Sequence, residues 1–265
     1  MGAVAGMMGL TATLGGAIDP GIYNFTSYGT KGSPDGGFSS PFVDVSSFNS
    51  NSNYIQQVGT LAAATSGMNR YIVFMTASQS TSGSDTTNLL PTARLAGTTM
   101  SLLAHQTQSN TFNQSVSAHY IVYNSAGTPT LDWRKRDGGT QDLFTLRTTA
   151  YSFEVPDTLS LTTDEISSFN LSNDFTIDQS GAVRAYFSAL HKGNQSTNQT
   201  ITKSGGGGAT TSIVDAQGDI GTDELYAFGS LEEDNIGVST TITANHVTTS
   251  SSTRRALLIG EMLFS

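Results

Sequence analysis

The stretch TSGMNRYIVFMTAS, residues 65–78, has a counterpart further along the chain in QSGAVRAYFSALHK, residues 179–192. In each, Ser-Gly is followed after two residues by an arginine, Arg70 or Arg184, that opens an apolar run. In the first run Tyr71, Val73 and Met75 alternate with Ile72, Phe74 and Thr76, so a strand here would be apolar on both faces. A strand of that kind is buried between two sheets or covered by a neighbour.

The parallels continue outward in chain order. GTTMSLLA (97–104) faces ATTSIVDA (209–216), each a Thr-Thr pair entering an apolar run. AHYIVYNS (118–125) faces ELYAFGSL (224–231), each rich in aromatics, and LFTLRTTAYSFEV (143–155) faces TRRALLIGEMLF (253–264) as a closing strand or pair of strands. The offsets are 114, 112, 106 and about 110 residues. Colinear matches at a drifting offset are the mark of a duplicated unit with altered loops.

Composition agrees with a β reading. The 265 residues include 34 serines and 37 threonines, while charged residues make up 12%, about half the usual share. Threonine suits strands, and serine, asparagine and glycine suit turns. Clusters such as SGSDTTN (82–88) and KSGGGGA (203–209) punctuate the apolar runs. VSTTITANHVTTSSS (238–252) alternates like a half-exposed strand. No amphipathic helix stands out; TLSLTTDEISSF (158–169) reads as a short helix or a linker. The expected fold is all-β: two tandem antiparallel β-sandwich domains, jelly-roll-like and internally duplicated, with an extended N-terminal arm. Residues 1–48 form the arm and docking segment, 49–155 the first sandwich and 156–265 the second, with the break at Pro156. The apolar, uncharged residues 1–18 lack the basic start of a signal peptide, and read either as a docked arm or as a mobile tail.

The net charge of −9 argues against a nucleic-acid partner, since phosphate binding needs a basic surface. No segment approaches membrane-spanning length and apolarity. Cysteine is absent, which excludes thiolate metal sites and favours assembly in a reducing cytosol. The histidines His105, His119, His191 and His246 form no local ligand pair, and His119 reads as a hydrogen-bonded wall residue. The acidic run Asp215, Asp219, Asp223 and Glu224 lacks the spacing of a calcium loop and reads first as a solvated face. No nucleophile elbow, phosphate loop or zinc-protease motif occurs, so no catalytic, cofactor or metal residue is assigned.

One stretch invites a contact role. LDWRKRDGG (131–139) sets the single tryptophan, Trp133, beside Arg134 and Arg136, an arrangement that could stack on a sugar. Its flanking Asp132 and Asp137 equally suit an exposed hairpin or a subunit contact. Together with Tyr123 and Tyr226 these are the candidate ligand or subunit-contact residues.

A cysteine-free, low-charge chain rich in Ser, Thr, Gly and Asn, with SG-x-x-R before an apolar strand, then TT before a second and an aromatic third, resembles structural proteins of tailed-bacteriophage particles. The resemblance implies a non-enzymatic decoration, head-fibre, knob or tail component, located in the virion after assembly in the host cytoplasm. Its implied partners are other virion proteins and copies of itself, often as trimers. The alternative is a glycan-binding or adhesin module using the loop aromatics. A hydrolase on the same scaffold ranks behind both, for want of an acid–base pair.

Overall fold

In the computed structural model the described residues are 18, 20–33, 42–45, 53–80, 92–108, 113–134, 143–168, 172–177, 183–193, 198–204, 210–219, 224–233, 240–247 and 255–265. They form strands and connections without a helix. The first half carries β1 (Tyr23–Ser33), β2 (Phe42–Val45), β3 (Asn53–Gln57), β4 (Met68–Ser80), β5 (Thr92–Leu95), β6 (Thr98–Thr99), β7 (Ser101–Gln108), β8 (Asn113–Val122), β9 (Thr130–Arg134) and β10 (Leu143–Pro156). The second carries β11 (Leu161–Ser168), β12 (Ser172–Ile177), β13 (Val183–Gly193), β14 (Asn198–Ser204), β15 (Thr210–Asp219), β16 (Glu224–Glu233), β17 (Thr240–Val247) and β18 (Arg255–Phe264).

These strands make four sheets, all antiparallel. Each half has an inner sheet, ordered β1-β10-β4-β8-β7 in the first and β11-β18-β13-β16-β15 in the second. Each also has an outer sheet, β2-β3-β9-β5-β6 and β12-β17-β14. The strands opened by Arg70 and Arg184, β4 and β13, are the central strands of the two inner sheets. Position by position, β1, β10, β4, β8 and β7 stand where β11, β18, β13, β16 and β15 stand in the second half. The outer order β3-β9-β5 likewise matches β12-β17-β14.

The double-sided apolar pattern of β4 has a direct cause. Tyr71, Val73, Met75 and Ala77 face the second half, joining Tyr151, Phe153 and Val155 of β10 and Val183, Ala185, Phe187 and Ala189 of β13 in one core. Ile72 and Phe74 face the other way, packing with Ala150 against Ala93, Leu95 and Leu131 of the outer sheet. The first inner sheet is therefore covered on both sides. In the second half β14 packs on β15 and β16 in the same sense, so the layers run outer, inner, inner, outer.

The all-β, antiparallel sandwich architecture is as expected, and the two halves in addition share a core. Among the described residues the larger hydrophobic cluster lies between the halves and draws on both inner sheets. The sheets pass each other in opposite order: β7 lies over β11 and β18, β8 over β18 and β13, β4 over β13, and β1 reaches β15. That is the geometry of an isologous two-fold dimer, here made within one chain.

Two stretches gain detail. Tyr23–Ser33, assigned to the arm, is a full edge strand paired with β10, and Phe42–Val45 pairs with β3. Phe25 explains the first, because its ring packs at 5.8 and 6.2 Å on Tyr151 and Phe153 and needs the sheet to cover it. Residues 1–17 of the expected arm lie outside the described residues. The helix-or-linker stretch 158–169 contains β11, an edge strand with four consecutive exposed residues, Thr162 to Glu165. Polar residues on both faces are what an uncovered edge strand requires.

Close approach of the halves is set at Gly260. A Cβ there would meet Leu103 Cγ at 2.7 Å and Cδ2 at 2.8 Å. A bulge between Leu102 and Ala104 turns both Leu103 and Ala104 into the core at this point. Gly260→Val is expected to destabilise the fold by about 1–3 kcal/mol through overpacking. Urea denaturation checks it, and Leu103→Ala in the same chain should recover part of the loss.

Candidate functional site

The arginine of each SG-x-x-R stretch leads to a buried ion pair in its half. Gly67 takes φ +79°, a left-handed turn that suits glycine, and Met68 N bonds back to Thr65 O at 3.0 Å. β4 starts there and turns Arg70 toward the outer-sheet side, directly opposite Glu154 of β10. Arg70 Nη2 donates to Glu154 Oε1 at 2.9 Å, and Nη1 to the Ala62 carbonyl at 2.8 Å. Thr65 Oγ1 donates to Glu154 Oε2 at 2.7 Å, and Asn24 Nδ2 to the same oxygen at 2.9 Å. The left-handed φ of 53° at Asn24 is one that asparagine tolerates.

Asn124 closes the knot. Its Oδ1 accepts from Arg70 N at 2.9 Å and its Nδ2 donates to Asn69 Oδ1 at 3.0 Å. Bonds at the two residues of this buried ion pair thus join β1, the 58–67 connection, β4, the segment after β8, and β10. Burial works to raise the Glu154 pKa, but the bonds from Thr65, Asn24 and Arg70 outweigh it and hold the carboxyl below the ordinary glutamate range.

In the second half Arg184 Nε lies 3.1 Å from Glu261 Oε1, and Tyr186 OH donates to that oxygen at 3.0 Å. The same two strands of the sheet, β13 and β18, supply the pair. The balance differs, however. Burial dominates at Glu261 and raises its pKa, with Tyr186 and Arg184 pulling down and Asp164 adding to the rise.

The first inner sheet also carries buried hydroxyls toward the outer sheet, among them Thr148, Thr76 and Ser117 in one cross-strand row. Thr76 Oγ1 and Ser117 Oγ lie 2.7 Å apart. Half-buried His105 places Nε2 2.8 Å from Thr107 Oγ1 and 3.1 Å from Ser115 Oγ. A Ser–His contact is the first half of a nucleophile–base pair. Ser115 is only 1% exposed, so the contact has no open approach for a substrate and acts as a wall bond. His119 is likewise a buried wall residue, on β8. Among the described residues no group of three His, Asp or Glu side chains could hold a metal ion.

The described contact candidates fall on β9, on the segment after β8 and on β16. Trp133 sits within β9, opposite Tyr54 of β3 and Ala93 of β5, in the middle of the first outer sheet. Arg134 ends that strand, opposite Asn53 and Thr92, and Arg136 lies outside the described residues. Tyr123 follows β8, half-buried against the outer-facing cluster, with its backbone N bonded to Arg70 O at 2.8 Å. Tyr226 stands on β16 in the second inner sheet, opposite His191 and Gly218. The first inner sheet separates Tyr226 from Trp133.

The residues that sequence reading passed over are Asn24, Thr65, Glu154 and Glu261. Both glutamates did carry a signal: each interrupts an apolar run, YSFEV or IGEML, and a charge inside such a strand demands a partner. No protein-family model, curated protein or solved structure shows a significant match to this chain.

Because Glu154 is held below its unfolded pKa, its stabilising contribution is full above about pH 4.3 and is lost as pH falls through the folded value. Glu154→Gln is expected to cost about 3–5 kcal/mol at neutral pH by stranding Arg70. It should also flatten the stability loss that the native chain shows in acid. Guanidinium titrations at pH 7 and pH 3 read both effects.

Proposed function

We propose that the chain is a non-enzymatic structural component of a bacteriophage particle, of the decoration, fibre, knob or tail kind, working through contacts with other virion proteins and with copies of itself. The observation that carries this reading is where the buried polar chemistry goes. In the first half every bond described at the buried Arg–Glu pair runs to another segment of the same half, and the corresponding pair in the second half joins two adjacent strands. Charged groups spent in this way hold strand ends together and are poorly placed to act on a substrate. The four-layer, two-faced burial of the inner sheets adds mechanical stability, which a particle component needs more than a cleft.

The test is the solution mass of the purified chain by light scattering, with and without residues 1–17. That truncation stops short of β1, so it leaves both inner sheets whole. A defined oligomer well above 27.8 kDa, together with peptides of the chain in density-purified particles, is the expected result. A monomer that binds immobilised glycans saturably and loses binding on Trp133→Ala would overturn it in favour of an adhesin module.

A further inference from the structure

The two halves share an Arg–Glu pair yet surround it with different charge. In the first half Arg70 faces Glu154, and both Glu154 oxygens are filled by donors. In the second, Arg184 has Glu233 of β16 opposite it in register and Glu261 diagonal to it at 3.1 Å. Glu261 in turn has Asp164 of β11 directly opposite. Opposed residues in an antiparallel pair share a face, so Asp164 stands beside Glu261 on the face where Glu261 pairs with Arg184. Glu261, 6% exposed, is the member for which a charge is most costly, whereas Asp164 is exposed.

We propose that Asp164 and Glu261 form a proton-operated latch on edge strand β11: a proton on Glu261 lets β11 lie tightly on β18, and its loss sets two carboxylates face to face and loosens that edge. The raised Glu261 pKa has the matching sign, since a raised group stabilises the fold in acid and loses that contribution as pH rises through its folded value. Tyr186, donating to Glu261, is a further titratable group on this face. The outer sheet of this half carries Asp174 on β12, Lys203 on β14 and His246 on β17. On the opposite face of β11, Glu165 Oε2 accepts from His105 N at 3.1 Å, which ties the same strand to β7 of the first half. Loosening β11 therefore releases a contact between the halves as well as a sheet edge. The first half has no equivalent, because no carboxylic residue stands opposite Glu154 on β1, where Tyr23 occupies that position.

Hydrogen exchange of the full chain at pH 5 and pH 8, corrected for intrinsic rates, tests the latch. Amides of 161–168 should lose about tenfold in protection at pH 8, while those of β1 should change little. Asp164→Asn changes an exposed side chain, so the fold survives it, and it should cut the loss to less than about twofold on the same scale. It should also move the Glu261 carboxyl titration, read by carbon NMR, toward acid. Glu261→Gln should abolish the pH effect. Equal protection of β11 at both pH values, or a pH effect that persists in Asp164→Asn, would overturn the proposal.

Discussion

Where the two inner sheets meet, the rings of Tyr71, Phe153, Phe187 and Phe264 pack with centroids 4.9–6.0 Å apart. Two of these residues come from each half. A five-stranded sheet in a chain this poor in charge must bury both faces, and its own outer sheet covers only one. The partner half supplies the other cover. The aromatic contact between the halves is therefore the constraint on which the layer order depends, and Gly260 and the β7 bulge are what let the sheets come close enough to make it.

Equal strand order did not keep the halves chemically equal. Both central strands open on an arginine and both closing strands answer with a buried glutamate. At Glu154 the surrounding donors saturate the carboxylate and favour its charge. At Glu261 burial prevails, and Asp164 works in the same direction. The difference traces to what each edge strand offers: β1 sends a donor, Asn24, while β11 presents a carboxylate. A fixed tie in one half and a titratable one in the other follow from that exchange.

The described contact candidates are placed by strand register. Trp133 lies within strand β9 and Arg134 ends it, and the register sets their backbone neighbours as Tyr54, Ala93, Asn53 and Thr92. Tyr226 lies in the second inner sheet, in the other half of the stack from Tyr123. The role proposed for the chain accordingly rests on how its buried charges are used and not on a cluster of aromatics.

Much of the fold was legible in the residues themselves. Two-faced apolar runs, turn clusters and β-branched alternation mark strands because those patterns depend on local periodicity, and the paired SG-x-x-R stretches point to the two central strands. The buried glutamates of YSFEV and IGEML were visible too, as charges in apolar runs, although their partners were not. Only the tertiary structure decided that the halves share a core, that Tyr23–Ser33 is an edge strand, and that Asp164 opposes Glu261. Each of these is a pairing between segments far apart in sequence. Periodicity states that a face must be covered, and only the packed chain determines what covers it.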